Sequence, residues 1–315
     1  MRGLQAEAGA LRWQEVAEVL LRAGEVRIEV RAAGLNRADL LQRAGLYPPP
    51  PGASPVLGLE CAGEVVEVCG DSRWQVGDRV CALLAGGGMA EQVVIDGRHL
   101  LPVPEGLDWA EAAAIPEVFA TAWLNVFELG AAQPGEKVLI HAGASGVGTA
   151  AIQLCRALGN PCWVSVGNAD KLAACVELGA EGGVLRQAGI GALAEWAPFD
   201  VALDPVGANY AAEHLQLLGV DARWVLIGLM GGREARLDLA TLLVKRISLI
   251  GSTLRTRDAE FKAGLLARME QRLWPLFASG QLRPLVARRF GFDQAEQAFA
   301  ELAADQLVGK VVLVR

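Results

Sequence analysis

Residues His141-Ala-Gly-Ala-Ser-Gly-Val-Gly148 restrict the fold more than any other stretch of this chain. They follow Lys137-Val-Leu-Ile140, an aliphatic, β-branched run of the kind that forms a fully buried parallel strand. They lead into Thr149-Ala-Ala-Ile-Gln-Leu-Cys-Arg156, strong helix formers with apolar residues at helical spacing. Strand, glycine turn and helix make the first unit of a dinucleotide-binding fold. Gly143 and Gly146 let the backbone turn sharply and approach a pyrophosphate, while Gly148 lets the helix pack closely on the strand. The N–H groups at the helix start face the phosphates, and the helix dipole favours their charge. This makes Ser145, Gly146 and Val147 candidate cofactor-binding residues. The spacing is G-x-x-G-x-G rather than G-x-G-x-x-G, and a purely structural strand-to-helix turn also uses such glycines. A hydrolase elbow is a poor alternative, because Gly143-Ala-Ser145-Gly-Val147 fails G-x-S-x-G at its last position.

The rest of the chain divides in texture. Glu25 to Arg31 alternates, with Val26, Ile28 and Val30 on one face and charges on the other, which predicts a half-buried strand of an antiparallel sheet. Asn36 to Arg43 reads as a short helix that Asn36 is able to cap, and Pro48 to Pro51 as an extended, rigid loop. Short β runs around Val65–Val68, Arg79–Leu83 and Gln92–Ile95 complete a β-rich first third. Long apolar helices follow over Ala110–Ile115 and Phe119–Leu129. Strands and helices then alternate through Cys162–Val166, Lys171–Leu178, Asp200–Leu203, Ala208–Leu218, Arg223–Ile227 and Ile247–Gly251, a parallel sheet with helices on both faces. Helices over Asp258–Ser279 and Gln294–Leu302 precede a closing strand, Lys310–Val314.

Composition bounds the partners. A formal charge of −7 and the lack of any Lys/Arg run argue against nucleic acid. No apolar run approaches the roughly 20 residues of a membrane span, and Met1–Glu7 lacks the apolar core of a signal peptide. The six cysteines form no C-x-x-C and sit in apolar runs, which fits a reducing cytoplasm. Three scattered histidines are a poor basis for a metal site.

Five motifs occur in order: Ala32-Ala-Gly-Leu-Asn-Arg-Ala-Asp39, Gly58-Leu-Glu-Cys-Ala-Gly63, Val76-Gly-Asp-Arg-Val80, Ala142–Gly148 and Val308-Gly-Lys-Val-Val-Leu313. Together they resemble the zinc-free quinone oxidoreductases of the medium-chain dehydrogenase/reductase superfamily. Gly45-Leu-Tyr-Pro-Pro-Pro-Pro-Gly52, Ala114-Ile-Pro-Glu117 and Arg223–Gly232 are most similar to the tumour-suppressor-inducible type. The resemblance implies an α/β fold in which a Rossmann doubly wound parallel sheet, 116–257, is inserted into a GroES-like β-rich catalytic domain, 1–115 and 258–315. An interdomain cleft is then expected to hold nicotinamide and acceptor. Metal-dependent relatives need Cys near the Asn36 position and His at that of Leu59, so the chain is expected to hold no metal.

By the same resemblance Tyr47 and Asn36 are the candidate catalytic residues, with Thr121, Gly228, Leu229, Met230, Thr253 and Leu254 near the cofactor. For Tyr47 the alternative is a loop residue stacked on the proline run, and for Leu229 and Met230 ordinary core packing. Without a metal to stabilise an alkoxide, a quinone or an activated enone is the easier acceptor, and catalysis is mainly positioning. The second strand ends in Gly167 and Asn168 rather than Asp or Glu, with Lys171 one turn later, which suits a 2′-phosphate and hence NADPH. Arg186 falls about where relatives carry Tyr, and either stacks or pairs with that phosphate or is a solvated surface arginine. The expected function is NADPH-dependent quinone reduction, with an enone or enal reductase or a low-turnover NADPH sensor as alternatives. The last strand of the parallel sheet is expected at an edge, covered by a second subunit in a homodimer.

Overall fold

A computed structural model describes residues 1–315 as two compact units, Met1–Ala120 with Leu254–Arg315, and Thr121–Thr253. The second unit is a six-stranded parallel sheet. Its strands in chain order are Val138–His141, Cys162–Val166, Gly182–Leu185, Phe199–Asp204, Leu218–Leu226 and Ser248–Gly251. Their spatial order is third, second, first, fourth, fifth, sixth. The first strand lies at the centre, with Ile140 between Val164 on one side and Leu203 on the other. Strand order therefore reverses on either side of it, and the glycine turn leaves from its carboxyl end, where doubly wound sheets bind ligands. Leu139, Trp163, Phe199, Leu215, Leu218 and Trp224 pack one core of this unit.

The first unit is a seven-stranded sheet built from both ends of the chain. Glu25–Gly34 pairs antiparallel with Glu60–Val68, Gln92–Asp96 and the C-terminal Lys310–Val314. Arg79–Leu83 and Leu100–Pro102 extend one side, and Val286–Gly291 runs parallel to Lys310–Val314 on the other. Val26, Ile28 and Val30 do point into the core, alongside Val65, Val80, Leu100 and Leu313. The opposite face is less wet than the alternation suggests. Arg27 is buried, its Nε donating to Glu67 Oε2 at 2.8 Å and its Nη2 to the Val19 carbonyl at 3.0 Å.

Several boundaries differ from those the resemblance and the sequence pattern imply. Residues 116–120 and 254–257 belong to the first unit, and the Glu117 N–H donates to Glu60 Oε2 there at 2.9 Å. The hairpin Arg2–Glu7 with Ala10–Glu15, and the strands Gly182–Leu185 and Val286–Gly291, carry too few β-branched residues to stand out. The long helix is Ala259–Ala278, and Asp258 caps it by accepting from the Phe261 N–H at 2.7 Å.

Candidate functional site

The cofactor residues of the parallel unit are arranged by its glycine turn. A Cβ on Gly148 would lie 2.5 Å from the carbonyl oxygens of both Ala142 and Gly143, and one on Gly143 would lie 2.6 Å from Val164. Only glycines permit this close passage of turn, helix and strand. Ser145 is the N-cap of helix Gly146–Leu158, its Oγ accepting from the Gly148 N–H at 3.1 Å, while Gly146 and Val147 open the helix. The remaining first-turn N–H groups have no carbonyl partner inside their own helix, so the turn fits an anionic group. Gly228 follows the fifth strand and approaches Pro205 so closely that a Cβ would lie 2.8 Å from its carbonyl oxygen.

At the end of the second strand, Asn168 caps helix Ala169–Leu178, its Oδ1 accepting from the Lys171 N–H at 2.9 Å. That engages the amide oxygen and leaves its NH₂ as the donor suited to an anion. Lys171 is only 4% exposed, and its charge draws down the burial-raised pKa of the Cys175 thiol. Such burial fits poorly with a solvent-facing phosphate ligand. Arg186 is exposed and lies over Gly167, where a Cβ would meet its Nη2 at 3.0 Å. Leu229 and Met230, at 48% and 47% exposed, are not core residues. Thr121 is half-buried, its carbonyl accepting from Asn125 Nδ2 at 2.7 Å, and Thr253 is exposed.

A second cluster in this unit had no signal in the sequence. His141, the last residue of the first strand, pairs through Nδ1 with Ser165 Oγ at 2.8 Å and through Nε2 with His214 Nε2 at 3.0 Å. Asp204 Oδ2 accepts from Trp224 Nε1 at 2.9 Å and lies 3.9 Å from His214 Nδ1. Burial pushes His141 down to about 3, and His214 falls as well through burial and its neighbour. Both rings are therefore neutral at physiological pH, so they brace the strand ends without charge.

The residues expected at the acceptor belong to the first unit. Asn36 stands at the N-cap position of helix Arg37–Arg43, but its side chain makes no capping hydrogen bond. Asn36 Nδ2 donates to Glu60 Oε1 at 3.0 Å, and its Oδ1 accepts from Lys310 Nζ at 2.7 Å. The capping expected of Asn36 is met in the other direction, with Asp39 Oδ2 accepting from the Asn36 N–H at 2.8 Å. Lys310 Nζ also lies 2.7 Å from Glu60 Oε1 and donates to the Leu35 carbonyl. Two strands and the residue that opens the helix after a third thus bring a half-buried amide, a buried carboxylate and a buried ammonium to one point. Gly34 is required beside them, because a Cβ there would strike the Glu60 carboxylate and, at 2.6 Å, the Ala113 carbonyl.

Glu117 is partly accessible as a residue, yet its carboxyl is pushed up to about 8, first by desolvation and then by Glu60. Asp39 rises to about 6 through burial. The Tyr47 phenol is raised by burial and lowered by Arg255. Glu60, Lys310 and Glu117 lie inside the sequence motifs, but nothing in the motifs themselves assigns them a place here. No group of three His, Cys, Asp or Glu side chains in the chain is arranged to hold a metal ion.

Comparison with known proteins agrees with this architecture. Residues 22–105 match the alcohol dehydrogenase GroES-like domain, and residues 146–271 match the zinc-binding dehydrogenase family. The chain is 31% identical over 312 residues to the human synaptic vesicle membrane protein VAT-1 homolog, covering 92% of this chain and 79% of that protein. It is 36% identical over 300 residues to the polyketide synthase GfsB of Streptomyces halstedii, but spans only 5% of that protein's length. It spans 64% of the zebrafish (Danio rerio) VAT-1 homolog. Among solved structures, the quinone oxidoreductase of Thermus thermophilus, also solved with NADPH, superposes with a TM-score of 0.85 at 33% identity, with 100% of both chains covered. The CurK enoyl reductase superposes with a TM-score of 0.85 at 29% identity, covering 99% of this chain and 98% of that one.

Proposed function

Because the chain belongs to the medium-chain dehydrogenase/reductase superfamily of oxidoreductases, we propose that it reduces quinones with NADPH and without zinc. The observation that carries the zinc-independent part is the Lys310 ammonium, 2.7 Å from both Asn36 Oδ1 and Glu60 Oε1. It already neutralises the buried carboxylate and repels a divalent cation, and neither Asn36 nor Leu59 offers a thiolate or imidazole. The fold binds a nicotinamide cofactor, and the tight cradle at Gly143, Ser145, Gly146, Val147 and Gly148 fits its pyrophosphate. The cofactor, when bound, supplies the hydride.

The chain's own residues orient the acceptor and manage the proton. Tyr47 and Asn36 flank the acceptor; Thr121, Gly228, Leu229, Met230, Thr253 and Leu254 line the cofactor's reactive end. Burial raises both the Tyr47 phenol and the Glu117 carboxyl, the latter to about 8, which favours their protonated forms. Arg186, exposed against Gly167, is better placed than buried Lys171 to meet a 2′-phosphate, with the Asn168 amide beside it.

NADPH oxidation with a panel of benzoquinones and naphthoquinones tests the reading, with a chelator-treated sample alongside. Turnover unchanged by the chelator is expected. Likeness to a polyketide synthase and an enoyl reductase favours a second reading, reduction of a conjugated enone or enoyl thioester by the same cofactor. Turnover of enoyl thioesters with none of quinones would establish that alternative. Tight NADPH binding without oxidation by either class would mark a sensor instead.

A further inference from the structure

We propose that Arg255 is a positioning residue that fixes the Tyr47 loop, and through it the Tyr47 ring, in the orientation the acceptor requires. This rests on the reading of Tyr47 as an acceptor-lining residue. Arg255 is 3% exposed and binds two stretches far from it in sequence, 42–47 and Ala85. Its Nη2 donates to Gln42 Oε1 at 2.7 Å, its Nη1 to the Tyr47 carbonyl at 3.2 Å and its Nε to the Ala85 carbonyl at 2.8 Å. The guanidinium carbon also stands 5.0 Å from the centre of the Tyr47 ring.

The composition of the loop explains why a side chain must do this. Tyr47 is followed by four consecutive prolines, Pro48–Pro51, none of which has an N–H to give to a neighbouring strand. Gly45 and Gly52, on either side, adopt φ of +74° and +83° and provide turns rather than anchorage. Carbonyl oxygens are the handles such a segment offers, and a planar fork with five donors can take one while also holding the nearby Gln42 amide and the distant Ala85 carbonyl. The Arg255 carbonyl in turn accepts from Lys262 Nζ at 2.8 Å, which ties the clamp to the long helix Ala259–Ala278. Burial opposes the guanidinium charge, and Tyr47, Asp39 and Glu117 favour it.

The chain has two tyrosines, Tyr47 and Tyr210, so protein labelled with 3-fluorotyrosine gives two fluorine resonances that Tyr47→Phe assigns. In Arg255→Met and Arg255→Lys the Tyr47 resonance should shift and sharpen towards its free-solution position while that of Tyr210 stays in place. With 1,4-benzoquinone, kcat/KM should fall on the order of tenfold or more, as misplacement of a positioning group does. In a Tyr47→Ala background the same substitutions should add less than about twofold, since a residue acting through Tyr47 cannot act twice. An unmoved Tyr47 resonance in both variants, or losses that multiply in the double variants, overturns the proposal. Should Arg255→Met fail to fold, Arg255→Lys alone decides it. If the wild-type protein reduces no quinone, the functional reading fails, whereas the fluorine spectra still decide whether Arg255 sets the ring.

Discussion

At the scale of single residues, coenzyme choice and proton supply are the questions that substitution answers directly. Arg186 is exposed, so under the proposed NADPH reading a bond to the 2′-phosphate would be worth the low end of a charge-assisted hydrogen bond, about 1.5 kcal/mol. Arg186→Ala should therefore weaken NADPH binding about tenfold, leave NADH nearly unchanged, and lose its effect in high salt. Lys171→Ala is the companion measurement. A selective NADPH loss would make Lys171 a phosphate ligand despite its burial, and equal weakening of both coenzymes would make it a structural lysine. Tyr47→Phe retains the ring and removes the hydroxyl. Since a quinone's charge is delocalised and asks little of one donor, kcat should fall by less than about tenfold. A loss of roughly 10²–10⁴ would identify Tyr47 as the general acid.

At the scale of elements, the glycine turn and the sheet edge make opposite demands. The turn tolerates no added atom, since a Cβ at Gly148 would lie 2.5 Å from two backbone carbonyl oxygens that cannot rotate aside. Gly148→Ala should lower the melting temperature and weaken NADPH and NADH alike, because the whole turn shifts. Unchanged titrations with both coenzymes would show that the turn does not hold the pyrophosphate. The edge strand Ser248–Gly251 instead leaves backbone groups and apolar side chains uncovered. Leu249 is 42% exposed, and Leu243 in the preceding helix, Leu239–Val244, is 75% exposed. An open apolar edge invites a second copy of the chain, and a homodimer is the proposed occupant. Sedimentation should show a dimer, and Leu249→Asp with Leu243→Asp should yield a folded monomer. A wild-type monomer at micromolar concentration would count against this assembly.

At the scale of the whole molecule, the buried titratable groups make stability depend on pH in two opposing ways. His141 falls to about 3 in the folded state against a usual value of 6.5, so the unfolded chain binds more protons between these limits. Stability is therefore lost as pH drops below 6.5. Glu117 behaves oppositely: held at about 8 against 4.5, it binds its proton more tightly when folded, and its contribution fades as pH rises through that interval. Thermal melts between about pH 5 and 8 should show a shallower decline on the alkaline side for Glu117→Gln than for the wild type. Identical slopes would mean that the Glu117 carboxyl is ionised throughout. No helix is long and apolar enough to cross a membrane.

The sequence by itself determined what depends on neighbours along the chain. The strand, glycine turn and helix at residues 137–156, the inward face of Val26, Ile28 and Val30, and the helix expected over Asp258–Ser279 are local patterns, and the structure carries each of them, the last as Ala259–Ala278. The motif order sufficed for the superfamily and for the division into a parallel unit and a β-rich unit. Tertiary structure alone decided the polar clusters. Asn36 meets Lys310 across 274 residues, and Arg255 meets Gln42 across 213, so no periodicity or spacing can announce either pair. It also decided which cation is buried and which is exposed, Lys171 or Arg186. A side chain's hydration, and with it the charge it can present to a ligand, is set by elements that arrive from elsewhere in the chain.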